Sequence, residues 1–215
     1  MDQNATVRFH DPRSKERFNK HGVCPRCFRP VDQCICSRIR NFENRIKVVI
    51  LQHPQEQYKV LNSARLARLS LKNCSINVGL SWPNFKAVAG ETEMPSQWGI
   101  LFLKNGPETQ KAPIVVYGRH KQSLADCSVL RGIIAIDGTW KQAKTLWWRN
   151  PWFTRLNRIS LNSSHPSMRA QVRAEGLSTI EAIAFTLECL GERKGIPEYL
   201  RKSYRELIVC ESVRV

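Results

Sequence analysis

Cys24-Pro25-Arg26-Cys27 and Cys34-Ile35-Cys36 put four thiols within thirteen residues. Thiolates are soft ligands, and two close pairs separated by a turn containing Pro30 and Asp32 can converge on one tetrahedral ion. Zinc is the ion this set implies. An iron–sulfur cluster uses the same ligand type and is the second reading. Cys24, Cys27, Cys34 and Cys36 complete a closed set without histidine, so the centre is structural rather than catalytic. A second kind of chemistry sits at Asp137-Gly138-Thr139-Trp140. These residues follow an apolar, β-branched run over 131–136 that reads as a buried strand, and they lead into a helix. A carboxylate there lies beyond the carboxyl end of a strand, where open α/β sheets present their ligand crevice. Gly138 allows a sharp turn, and Thr139 can offer its hydroxyl to the free N–H groups of the next helix. Asp137 itself reads equally as a helix cap.

The elements that must position these groups follow from the apolar periodicity. Strands are expected over 46–51, 75–78, 99–103, 114–117, 133–136 and 158–161. Helices are expected over 60–71, around Leu124, and over 140–149, 179–190 and 198–207. Strands interleaved with helices predict an α/β fold with a mostly parallel sheet and flanking helices. The helix from Thr179 is the best defined: Ser178 stands at the N-cap, Glu181 three residues on completes a capping box, and Ile180, Ile183, Ala184, Leu187 and Leu190 form its buried stripe. The Pro/Gly-rich stretch 81–99 reads as an irregular loop. Residues 1–20 carry five Arg/Lys and no apolar period, so they read as a flexible basic lead-in. A metal knuckle over 21–40 and one α/β domain over 41–215 complete the organisation.

The 215 residues hold 34 Lys+Arg against 18 Asp+Glu, a net charge of +16. Such an excess costs self-repulsion in the folded state and points to an anionic partner, nucleic acid before membrane. No apolar stretch approaches a membrane span and the N-terminus is unlike a signal peptide, so a cytoplasmic protein is expected. Cys74, Cys127, Cys189 and Cys210 are scattered, unlike a secreted disulfide framework, and read as ordinary thiols. Arg26 and Arg29 interleave with the knuckle cysteines as candidate phosphate contacts. Trp147, Trp148, Trp152 and Phe153 crowd beside Lys141, Lys144 and Arg149, a mixture suited to unstacked bases and phosphates, with about two of the four rings expected in the core. Arg169 and Arg173 form a second basic stretch expected to line the substrate mouth. His53, His120 and His165 each stand alone and receive no catalytic role.

Several segments in order carry a resemblance: the cysteine knuckle, Leu51-Gln52-His53-Pro54-Gln55-Glu56, Leu61-Asn62-Ser63-Ala64-Arg65-Leu66, Asp137-Gly138-Thr139-Trp140 and Gly176-Leu177-Ser178-Thr179-Ile180-Glu181-Ala182. Together they resemble the DTW-domain family of tRNA-uridine aminocarboxypropyltransferases, related to SPOUT-type RNA-modifying enzymes. The chain departs at Ser63, where a threonine is usual, and at Leu101-Phe102-Leu103-Lys104, where Leu-Phe-Pro-Gly is usual. The resemblance implies a C-terminal trefoil knot. It also implies transfer of the 3-amino-3-carboxypropyl group of S-adenosylmethionine to N3 of a uridine in the tRNA variable loop. Asp137 would be the base that takes the N3 proton. Ser63, Leu103, Leu161, Ser178 and Thr179 would contact the co-substrate. A methyltransferase with the same co-substrate, or a non-catalytic zinc-bearing RNA-binding protein, are the alternatives. No obligate protein partner is implied.

Overall fold

The computed structural model describes residues 22–59, 61–102, 112–119, 122–123, 127–162, 168 and 177–212. Six strands form one sheet: β1 (Lys47–Gln52), β2 (Cys74–Val78), β3 (Trp98–Phe102), β4 (Ile114–Tyr117), β5 (Gly132–Asp137) and β6 (Asn157–Leu161), in the order β2-β1-β5-β3-β6-β4. All neighbours run parallel except β4, which is antiparallel to β6. β1 and β5 are central and buried on both faces, which is why their sequences are continuous apolar runs rather than alternating ones. Gly132 opens β5 because the Trp98 indole lies 2.5 Å from where a Cβ would stand.

Helices cover both faces. Val48, Ile50, Ile133 and Ala135 pack with α1 (Ser63–Ser70), α4 (Thr179–Cys189) and α5 (Gly195–Ser212). The alternate residues Val49, Leu51, Ile134 and Ile136 pack with α2 (Lys86–Ala89), α3 (Trp140–Arg149) and the 3-10 turn Pro151–Arg155. The period-2 alternation of β1 and β5 thus feeds two separate cores. α1 starts later than expected because the Asn62 side chain caps it, accepting from Arg65 N at 2.8 Å. α5 starts earlier than expected, since Pro197 falls in a first turn whose N–H groups go unbonded anyway. The 81–99 stretch is more ordered than an irregular loop. Asn84 accepts from Ala87 N at 2.9 Å, and Phe85 and Val88 bury a short helix there. The helix expected around Leu124 lies outside the described residues. So does the trefoil knot, which turns on how residues 163–176 thread; of these only Met168 is described. Among the described residues no helix is long and apolar enough to cross a membrane.

The topology fixes where a ligand can sit. From the adjacent strands β1 and β5 the chain leaves in opposite directions, to β2 through α1 and to β6 through α3. Right-handed crossovers running opposite ways must lie on opposite faces, and α1 and α3 do. The crevice this opens lies beyond the carboxyl ends of β1 and β5. The two residues that end those strands, Gln52 and Asp137, are register partners.

Candidate active site

Asp137 closes β5 with 8% of its surface exposed. Its carboxylate is buried among polar groups rather than against the core: Oδ2 accepts from Gln52 Nε2 at 2.8 Å and Oδ1 from the Thr179 hydroxyl at 2.5 Å. Its own carbonyl accepts from His53 N at 2.9 Å, tying the two strand ends together. Among the described residues no lysine or arginine forms an ion pair with it. Burial pushes the carboxyl above the ordinary aspartate range, against the pull of the Thr179 and Gln52 hydrogen bonds. Asp137 is not the cap of α3. Thr139 fills that place: its hydroxyl accepts from Gln142 N at 3.3 Å, and Gln142 Oε1 accepts from Thr139 N at 2.6 Å. Of the two readings the sequence left open for Asp137, the helix cap is thereby removed.

Gln52, to which the sequence reading assigns no role, also belongs to this site. It is fully buried, and its Nε2 reaches both Asp137 and, at 3.3 Å, Asn62 Oδ1. Its Oε1 is buried without a hydrogen-bond partner. An orphaned acceptor costs about 1–3 kcal/mol, and one beside a crevice carboxylate is open to a donor brought by a ligand. Asn62 extends the network, donating to the carbonyls of Glu56 and Gln57 at 3.1 and 3.0 Å. Ser63 follows it, buried in the first turn of α1. Across the crevice Thr179 opens α4. There the Glu181 half of the expected capping box is made, Ser178 N donating to Glu181 Oε2 at 2.8 Å, while the Ser178 hydroxyl is buried without a hydrogen-bond partner. Ser63, Ser178 and Thr179 therefore stand on the two helix N-termini that flank Asp137. Leu161 does not: β6 is separated from β5 by β3, about 10 Å across the sheet. Leu103 lies outside the described residues.

The four knuckle cysteines converge as expected, all Sγ atoms within 4.8 Å of one another. Cys24 and Cys36 are 3.6 Å apart, Cys27 and Cys34 3.9 Å. A tetrahedral ion with metal–sulfur bonds of about 2.3 Å requires sulfur–sulfur edges of about 3.8 Å, so these residues can hold a metal ion. Burial pushes the Cys24 thiol up, but the N–H groups of Cys27 and Arg26 and the neighbouring thiols outweigh it and bring it down to about 6. Cys27 and Cys36 are pushed up, burial first. Phe28, at φ +57°, turns its ring out of the knuckle against α1. The Arg65 guanidinium carbon lies 3.9 Å from the ring centroid and the Tyr58 ring 5.6 Å away.

The DTW domain model matches residues 21–209. The chain belongs to the DTW-domain family. Among curated relatives, the tRNA-uridine aminocarboxypropyltransferase 2 of Mus musculus is 29% identical over 200 residues, spanning 89% of this chain and 64% of that protein. The protein of that name from Macaca fascicularis is 29% identical over 205 residues, with the same coverage, and that of Drosophila melanogaster 28% identical over 200, spanning 88% and 73%. The chain thus spans less than two thirds of the length of the first two. No solved structure matches the chain.

In this DTW domain the basic residues divide. Lys141, Lys144 and Arg149 are exposed on α3, and Arg26 on the knuckle. Arg29 corrects its expectation as a phosphate contact: it is 4% exposed, and its Nε donates to Gln33 O at 2.9 Å, bracing the knuckle from within. Arg169 and Arg173 lie outside the described residues. Trp152 and Phe153 are core, as two of the four clustered rings were expected to be.

Proposed function

We propose that this DTW domain transfers the 3-amino-3-carboxypropyl group of S-adenosylmethionine to N3 of a uridine in the tRNA variable loop. The observation that carries the reading is the Asp137 carboxylate, held between Gln52 and Thr179 at the strand-end crevice of a DTW-family fold. The relatives' shared name supports the reaction class, and the net charge of +16 supports tRNA as substrate. The sulfonium supplies an activated carbon and a thioether leaving group. Asp137 takes the N3 proton as the new N–C bond forms, and a carboxyl raised by burial is a stronger base than an exposed one. Gln52 and Thr179 fix its two oxygens, so its free lone pairs keep one direction. Ser63, Ser178 and Thr179 would hold the co-substrate, with the α4 N-terminus suited to its carboxylate.

The knuckle reads as a zinc site. Sulfur atoms 3.6–4.8 Å apart match the edges of a single tetrahedral ion, which supports this reading. The same reading carries a SPOUT-type knot between β6 and α4 and a cytoplasmic location, with residues 41–215 as the catalytic domain.

The test is to incubate the purified protein with unmodified tRNA and S-adenosylmethionine, then weigh the nucleosides. A uridine heavier by an aminocarboxypropyl group is the expected product; a methyl gain, or none, overturns the reading. Gln52→Leu removes a donor to the Asp137 carboxylate. It is expected to lower kcat/KM at neutral pH about tenfold, the worth of one charge-assisted hydrogen bond. It should also move the acid limb of the pH–rate profile upward, because the carboxyl loses a bond to its charged form. A slower enzyme with an unmoved limb would leave Gln52 a packing role only.

A further inference from the structure

Trp148 stands apart from every other large apolar side chain on α3: it is 81% exposed. Its neighbours in the aromatic cluster satisfy one another, with Trp152 and Phe153 at 4.6 Å, Trp147 and Phe153 at 5.6 Å, and Arg158 over the Trp147 ring at 5.6 Å. Trp148 takes no part in that cluster. It shares a stripe of α3 with Lys141 and Lys144, seven and four residues earlier, while Ala143 and Leu146 turn to the core. Lys141 and Lys144 are exposed, and no described carboxylate pairs with them. The surrounding sequence is one-signed: residues 138–174 contain seven Lys/Arg and no Asp/Glu. The stripe also starts at the crevice, since Thr139, two residues after Asp137, caps this helix. Trp148 lies nine residues farther on, about 13 Å at 1.5 Å per residue.

We infer that Trp148 is a stacking platform for an unpaired base of the tRNA near the target uridine, with Lys141 and Lys144 holding the intervening phosphates. This rests on the proposed reading only for the identity of the RNA. An aromatic face accepts any base, and a cation ladder without sequence-reading groups tracks the backbone, so the platform places an extruded strand without selecting its sequence. A protein partner fits less well, because a lone ring inside a strip of unpaired lysines lacks an apolar surround.

The test is equilibrium binding of unmodified tRNA at fixed salt, without S-adenosylmethionine, by the wild-type protein, Trp148→Ala and Trp148→Phe. Alanine is expected to weaken binding about five- to a hundredfold, the range measured for one stacked base. Phenylalanine should restore it to within about threefold. The salt dependence of Trp148→Ala should match wild type, whereas Lys144→Ala should lower the slope by about one counterion. The site is exposed, so thermal melts of the variants should coincide. Binding by Trp148→Ala within twofold of wild type overturns the inference. So does a wild-type dimer that Trp148→Ala disperses while tRNA affinity stays intact, which would give the ring to a second copy. Because binding is read without chemistry, a wild-type protein that makes no aminocarboxypropyl product refutes the catalytic reading alone.

Discussion

Asp137→Asn is expected to lower kcat for aminocarboxypropyl transfer about 10²- to 10⁴-fold, the usual worth of a positioned base, and to leave tRNA affinity within about threefold. The substitution is nearly isosteric. The new amide can still accept from the Thr179 hydroxyl, and a flip of the Gln52 amide would offer its orphaned Oε1 to the new N–H₂. The fold should therefore survive, and stability supplies an independent check. Burial raises the Asp137 pKa in the folded state, so the folded protein binds the proton more tightly than the unfolded chain. Its contribution to stability is present below the unfolded carboxyl pKa and is lost as pH rises through the folded value. Asparagine carries no such penalty. Urea denaturation should thus find Asp137→Asn as stable as wild type at low pH and more stable at neutral pH, with activity lost. A variant both inactive and less stable at neutral pH would mean that Asp137 serves the fold, and the base assignment would go with it.

The same contrast explains what the sequence could and could not disclose. β1 and β5 were legible because a strand buried on both faces must be apolar throughout, and α3 came out with its bounds at Trp140 and Arg149 because Thr139 and Gln142 form a local capping box. These are signals a chain carries within a few residues. Gln52 gave no such signal. It ends an apolar strand and looks like the first polar residue of a loop. Only the β1–β5 register sets it opposite Asp137, across 85 positions of sequence. Arg29 misled for a related reason: an arginine beside cysteines reads as surface charge, and nothing local shows that its guanidinium turns inward to Gln33 O. The short helix in the 81–99 stretch was hidden because Phe85 and Val88 are stabilised by Trp98 and Trp152 from other elements, not by periodicity of their own.

With zinc in the knuckle as proposed, Cys27→Ser is expected to lose the metal and to destabilise the fold by far more than the change of one side chain. Cys27 is the most buried of the four ligands. Removing one thiolate from a closed four-sulfur set forfeits much of a binding energy that, for structural zinc, is itself folding energy of about 10–16 kcal/mol. The effect should also reach the crevice, because the knuckle docks on α1 through Phe28 and Arg65. Arg65 is a largely buried cation: burial pushes its pKa down, and the Cys27 sulfur is among the charges that push it back up. Among the described residues no carboxylate pairs with it. A divalent ion held by the four thiolates, as proposed, would leave the centre with two negative charges and so give Arg65 a counter-charge. Arg65 N in turn binds Asn62 Oδ1, which accepts from the Gln52 amide that holds Asp137. Metal loss should therefore show twice: as absent zinc by elemental analysis, and as faster amide exchange over 63–70 with slower transfer chemistry. Phe28→Ala separates the two. It keeps all four thiols and should keep the metal, yet it should loosen the same helix, since the ring that seats Arg65 is gone. Stoichiometric metal in Cys27→Ser would refute the ligand set. Unchanged exchange over 63–70 in Phe28→Ala would leave the knuckle a separate appendage, and the crevice would have to be held by the sheet alone.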